Sequence, residues 1–354
     1  MKYQKFILII LILSLLIGAG IFIYDKWWPS DKIIIYNSKP AVLEESFSAQ
    51  DIESQPESKT IVFVGDMMLD RGVEYLMEKN SFLYPFEKIN EFLKDFDIVF
   101  GNLEGPINKN PQYFPDKSLM FSFSAEIIEG LSFANFNLLS LANNHTLNMS
   151  QEGLEETREL LEKNKIDFVG EPILCNQDFS FEKENIIFLA FNKSFNTYCK
   201  NEEIVETIEL VKSENPENFL IVSIHWGKEY ELTNSFSQYE LAYQIIDAGA
   251  DLIIGHHPHV VQNIEIYKEK LIFYSLGNFI FDQYFSEETQ QGLAVGLEIY
   301  PKKLVYQIFP IQSHLAQPFL MEKKEADNFL NGLAQKSNEE LAEEIKKGII
   351  EIER

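Results

Sequence analysis

The 354-residue chain carries 55 acidic against 30 basic side chains, a net charge of −25. So acidic a surface repels nucleic acid and anionic lipid at long range, which excludes either as a main partner. A polyanionic substrate would need local cations to be held.

Phe6 to Tyr24 is a run of 19 residues without a charge, interrupted only by Ser14, Gly18, Gly20 and Tyr24. As a helix it would be about 28 Å long at ~1.5 Å per residue, enough to span a hydrocarbon core. Lys2 and Lys5 precede it, which keeps the N-terminus cytoplasmic and sends the remainder outward, and Trp27 and Trp28 fit an interfacial belt. A cleaved signal peptide is the competing reading, disfavoured by the length of the run and by the lack of an A-x-A-like site before the tryptophans. The expectation is a cytoplasmic stub and single-pass anchor over residues 1–26, a flexible linker over 27–59, and a main domain outside the cell membrane. Lys2, Lys5 and Lys26 against Asp25 give the first 26 residues a net +2, which leaves −27 on the exported part.

Residues 60–315 are long enough for one large α/β domain with a well-buried core. Strand-like runs occur at Ile61 to Val64, Ile98 to Phe100, Leu138 to Leu141, Phe219 to Ile224, Leu252 to Ile254 and Leu271 to Tyr274. Between them Pro85 to Phe96, Gln151 to Lys163 and Gln238 to Ala248 place apolar residues at helical spacing, with Pro85 and Ser150 as helix-start signals. Cys175 and Cys199 either pair in an oxidising exterior, closing a loop of 25 residues, or stay as two buried thiols. Residues 293–311 return to strand-like alternation, and 316–354 read as a helical, charged tail packed as a solvated helix on the domain edge.

The apolar runs end in ligand-type side chains. The sequence reads Gly65-Asp66, Gly101-Asn102-Leu103-Glu104, Asn143-Asn144-His145, His225-Trp226-Gly227, Gly255-His256-His257-Pro258-His259 and Ser275-Leu276-Gly277-Asn278. Open α/β sheets bind ligands beyond strand carboxyl ends. Imidazole, carboxylate and amide oxygens without cysteine suit Zn²⁺, Mn²⁺ or Fe²⁺. Singly, Asp66 reads as a turn former or helix cap, Asn143 and Asn144 as a turn, and His225 beside Trp226 as a hydrogen-bonded, semi-buried ring. Six such turns after six apolar runs weaken that reading. His314 lies outside the pattern and reads as structural.

The ordered set G-D-x-M-x-x-x-R, N-L-E, N-N-H, H-W-G, G-x-H-P-H and S-L-G-N-F, over roughly residues 60 to 300, resembles the bacterial capsule-synthesis CapA family, the PgsA-type proteins of poly-γ-glutamate production. That family is itself similar to the calcineurin-like metallophosphatases, so the resemblance implies a β-sandwich flanked by helices, with a site for two divalent ions (Mn, Zn or Fe). Carried over residue by residue, it implies metal ligation by Asp66, Glu104, Asn144, His225, His257 and His259. It implies His145 as general acid or transition-state hydrogen-bond donor, while Arg71 reads as a planar clamp on an anionic carboxylate or phosphate. His256 falls at the variable position of its motif. Two departures stand out: a glutamate, Glu104, where the phosphatases place an aspartate, and no histidine two residues after Asp66, where Met68 stands.

The resemblance implies a membrane-anchored protein in the synthesis, transport or anchoring of an anionic capsule polymer, working through a metal-dependent hydrolase or transferase site, with membrane subunits of a polymer synthase as partners. Two competing readings are a metal-dependent phosphoesterase on a small envelope substrate, and a non-catalytic accessory subunit of a polymer-export complex.

Overall fold

The computed structural model describes residues 59–114, 119–195 and 199–354. The predicted anchor and all of the linker but its last residue lie outside that range. Among the described residues no helix is long and apolar enough to cross a membrane.

Two mixed sheets stack face to face. In the first, β1 (Lys59–Met67), β2 (Ile98–Leu103), β3 (Leu138–Ser140) and β4 (Asp167–Val169) run parallel in that order. In the second, β5 (Ile186–Asn192), β6 (Phe219–His225), β7 (Leu252–His256) and β8 (Lys270–Phe273) are again parallel in chain order. The chain then returns to the first sheet: β9 (Asn278–Ile280) pairs with the end of β1, and β10 (Gln291–Ile299) and β11 (Lys303–His314) extend it antiparallel beyond β1.

The strands are apolar on both sides because both faces of each sheet are covered. Along β1, Ile61 and Phe63 point between the sheets, where Phe63, Phe100 and Phe188 meet with ring centroids 5.7 to 6.2 Å apart. Val62 and Val64 point outward, into a cluster shared with Leu154 and Leu161 of the helix Ser150–Lys163. The helices Asn201–Glu214 and Phe236–Asp247 cover the outer face of the second sheet. This is the sandwich flanked by helices that the resemblance implied.

The six predicted strand runs and two of the three predicted helices are present. The helix expected over Pro85 to Phe96 is instead two short turns, Tyr84–Phe86 and Asn90–Leu93. Asn90 Nδ2 donates to the Glu87 carbonyl, satisfying locally the acceptor that a continuous helix would give to the Glu91 amide. β5 and the helix after it did not stand out in the sequence. Cys175 and Cys199 are joined as a disulfide, Cα to Cα 5.6 Å.

The C-terminal segment also differs from the expected edge helix. It is helical over Lys323–Lys336 and Ala342–Lys347, then ends as a strand, Ile349–Glu353, paired antiparallel with β11. Leu330, Leu333, Ile345 and Ile350 belong to the cluster between the sheets. Ile345→Ala should therefore cost ~2–5 kcal/mol, as for a core residue. A solvated edge helix would lose less than ~0.5 kcal/mol. Denaturant unfolding of the two chains decides between these.

Candidate metal centre

Every parallel strand of both sheets ends at the same rim, and the register brings the polar strand ends side by side. Asp66 pairs with Asn102 on one flank and Asn278 on the other, and His225 pairs with His256. A bulge in β1 between Phe63 and Asp66 re-aims the aspartate. Gly65 lies so close to the next strand that a Cβ there would stand 1.9 Å from the Gly277 carbonyl oxygen, the same oxygen that accepts from the Asp66 amide at 2.9 Å.

Asp66 is fully buried and densely contacted. Its Oδ1 accepts from Asn102 Nδ2 (2.9 Å) and its Oδ2 from the His257 amide (3.2 Å), while His256 Nδ1 and His259 Nδ1 lie at 3.2 and 3.3 Å. Burial works to raise its pKa, but the two imidazoles outweigh burial and hold the carboxyl well below the usual range. Glu104 is the opposite case. It is equally buried, neither of its oxygens has a hydrogen-bond partner among the described residues, and burial pushes its pKa well above that of an ordinary glutamate. Its Oε1 faces His259 Nε2 at 3.7 Å and His145 Nε2 at 3.8 Å.

The imidazoles arrive on strained backbone. His257 and His259 take φ of 95° and 59°, a region that non-glycine residues adopt mainly at turns and ligand clamps. His225 Nε2 lies 2.7 Å from Asn144 Oδ1 and 3.1 Å from His257 Nδ1, so three expected ligands converge on one point. His259 Nδ1 lies 3.0 Å from Asn278 Oδ1, which turns its Nε2 towards Glu104. Partners that orient a ligating imidazole in this way are a regular part of metal sites. Burial pushes His257 down to about 3 and His225 well below its usual value, so both are neutral and able to ligate. Burial also works against charge on His259, but Glu104 and Asp66 overcome it and raise this ring to about 9.

His145 stands at the rim, 9% exposed, its ring 4.3 Å from that of Phe121 and its Nδ1 3.1 Å from Asn148 Oδ1; burial brings its pKa to about 4. The Asn143 side chain fixes this loop, donating to the Leu103 carbonyl (2.8 Å) and to Asn102 Oδ1, and accepting from the His145 and Thr146 amides. Arg71 is beside the site with its fork already engaged. Its guanidinium pairs with Asp282 and lies over the Phe121 ring, 4.9 Å from the centroid.

Asp66, Glu104, Asn144, His145, His225, His257 and His259 thus come together, with Arg71 on the flank. His314 is exposed at the end of β11, apart from them. The sequence left Asn102, Asn143 and Asn278 without roles, although all three stood inside the quoted motifs. His256, set aside as a neighbour, is buried against Asp66. Asp282 and Glu229 carried no signal of their own.

Ligand atoms of Asp66, Glu104 and His225 lie within 4.8 Å of one another, as do those of Glu229, His257 and His259. The residues fit a metal. A buried carboxyl group with two oxygens that no hydrogen bond satisfies, set among imidazoles, is costly unless a cation stands among them. Glu104 reaches the cluster in spite of its longer arm.

A two-sheet α/β sandwich with an oxygen- and imidazole-rich donor cluster at its common strand rim defines the class. Residues 60–283 match the bacterial capsule synthesis protein family PGA_cap, and the chain belongs to that family. It is 31% identical over 265 residues to the capsule biosynthesis protein CapA of Bacillus anthracis, a match covering 67% of this chain and 63% of that protein. It is 31% identical over 281 residues to the PGA biosynthesis protein CapA of Bacillus subtilis, covering 74% and 73%. Among solved structures, a purple acid phosphatase from yellow lupin seeds aligns at a TM-score of 0.35 and 12% identity, covering 75% of this chain and 54% of that one.

Two outcomes follow from the buried charges. Replacing Glu104→Met should raise the stability of the metal-free chain by ~1–3 kcal/mol and abolish metal uptake, measured by chemical denaturation and by metal analysis. The metal-free chain should also be most stable near pH 6.5. Below that, the unfolded chain takes up protons that His145, His225 and His257 refuse while folded, so stability falls with pH. Above it, folded His259 loses the stabilising proton it keeps up to about 9, and Glu104, kept protonated by burial in the fold but already ionised in the unfolded chain, goes on lowering stability with no opposing gain, so stability falls again. Melting temperature against pH, in chelator, checks both limbs.

Proposed function

We propose that this chain is a membrane-anchored protein whose domain lies outside the cell and acts, through a metal-dependent hydrolase or transferase site, in the synthesis, transport or anchoring of an anionic capsule polymer of the poly-γ-glutamate type. The observation that carries it is Glu104, a buried carboxylate that nothing hydrogen-bonds, facing His145 and His259 beside Asp66 and His225. The polymer comes from the relatives, one of them a PGA biosynthesis protein. The Cys175–Cys199 disulfide supports an oxidising compartment, and the apolar run Phe6 to Tyr24 supports an anchor.

Asp66, Glu104, Asn144, His225, His257 and His259 would hold the ions. Bound there, divalent ions supply positive charge for an anionic oxygen and lower the pKa of a water molecule at neutral pH. The protein's own share is orientation and proton handling. Asn278 and Asn102 fix His259 and Asp66, and His145, kept neutral by burial and aimed by Asn148, is placed to exchange a proton through Nε2 at the rim. A polyanion approaching this acidic chain finds Arg71 already paired with Asp282, so bound ions would supply positive charge that this arginine does not offer.

The full-length chain, purified and assayed for metal, should contain Mn, Zn or Fe, and Asp66→Asn should lower that content. In cells, His145→Ala and Asp66→Asn chains that fold and export normally should lose most polymer display. Display equal to the parent would reject catalysis here, and a metal-free, metal-indifferent chain would reject the centre itself.

A further inference from the structure

Glu229 belongs to none of the ligands expected from the sequence. It is exposed on the turn after β6, yet its carboxylate, His257 and His259 each place a ligand atom within 4.8 Å of the others. The turn is shaped to put it there. Gly227 takes φ 87°, and a Cβ on it would lie 2.7 Å from the Gln238 side-chain amide. Tyr230 takes φ 66°, and its amide donates to the Pro258 carbonyl (2.8 Å), tying this turn to the loop that carries both histidines.

A second, independent feature points to a ligand. Glu104, 0% exposed and without a hydrogen-bond partner on either oxygen, faces the same His259 from the buried side, 3.7 Å from its Nε2. Two carboxylates converging on one imidazole raise the site's affinity for positive charge, held either by the ring proton or by a divalent ion that displaces it.

We propose that Glu229 is a metal ligand at the mouth of the centre, sharing an ion with His257 and His259. The inference rests on reading the site as a metal centre. A carboxylate in place of an imidazole makes this position harder and favours Mn²⁺ over softer ions. Its exposure also makes it the donor most open to exchange with solvent or substrate.

The test is calorimetric titration of the chelator-stripped full-length chain with Mn²⁺ alone, alongside electron paramagnetic resonance of the bound ion. E229Q should weaken Mn²⁺ binding at one site at least tenfold and change its resonance, with E229D recovering part of the affinity. K228Q, which alters an exposed lysine paired with Glu231, should bind as the parent does. An E229Q chain that binds like the parent while H259A loses a site would overturn the role of Glu229 and leave the centre standing. A parent chain that takes up no Mn²⁺ would overturn both. Melting curves confirm that each variant is folded, and E229Q, isosteric and on an exposed turn, has no packing to lose.

Discussion

The rim of this sandwich is organised around one unsatisfied carboxyl group. Glu104 is buried at the end of β2 with neither oxygen hydrogen-bonded, whereas Asp66 one strand away is held by an amide side chain, a backbone amide and two imidazoles. Isolated buried carboxylates are among the least tolerable groups in a fold, and the surrounding network could have satisfied this one with a hydrogen bond. Asn102 instead donates to Asp66, Asn143 donates to Asn102 and to the Leu103 carbonyl, and Asn278 contacts His259. The amides hold everything around Glu104 and leave its oxygens open.

That arrangement depends on the packing beneath it. Parallel strands in two stacked sheets direct their carboxyl ends to one rim, and the shared aromatic core of Phe63, Phe100 and Phe188 sets how the sheets meet. The approach of Gly65 to Gly277 brings β1 and β9 together, so that Asp66 and Asn278 can both address His259. Strain at His257 and His259 is over-determined by the Asp66 carboxylate and by the Tyr230 amide on Pro258. Strands thus carry Asp66 and His225, Glu104 follows directly on β2, and the two loops that carry Asn144, His257 and His259 are tied to them.

The strand ends were legible in the sequence because a buried parallel strand is a short apolar run that gives way to a turn, so ligand-type residues stood out by position. Their convergence was legible only through the family resemblance, since nothing in the strand pattern of one sequence states that β2 and β6 end at the same rim. β5 was missed although Ile186 to Phe191 is as apolar as any other strand, because the Asn192-Lys193-Ser194 that succeeds it belongs to none of the quoted motifs. Asn102, Asn143 and Asn278 were visible but unassigned, since an amide that orients a ligand and an amide that forms a turn look alike until partners are known. The tail misled because its charge reports the exposed faces of two helices, whereas Leu330, Leu333 and Ile345 on the other faces close the core. Glu229 was illegible for the same reason as Asp282: each is one acid in a chain rich in acids, and only proximity distinguishes it.

Charge links the site to the rest of the chain. The surface repels anions, and the guanidinium nearest the site is neutralised by Asp282 and fixed against Phe121. On the proposed reading, attraction for an anionic substrate is therefore conferred by the ions and withdrawn with them. Metal and polymer then bind with positive coupling by thermodynamic necessity, each raising the affinity for the other. Such a centre discriminates against anions in the absence of metal and concentrates its attraction within the rim, where His145 stands. An acidic exterior and an anionic substrate, at odds when only the composition is considered, become consistent once the positive charge is confined to one buried, exchangeable site.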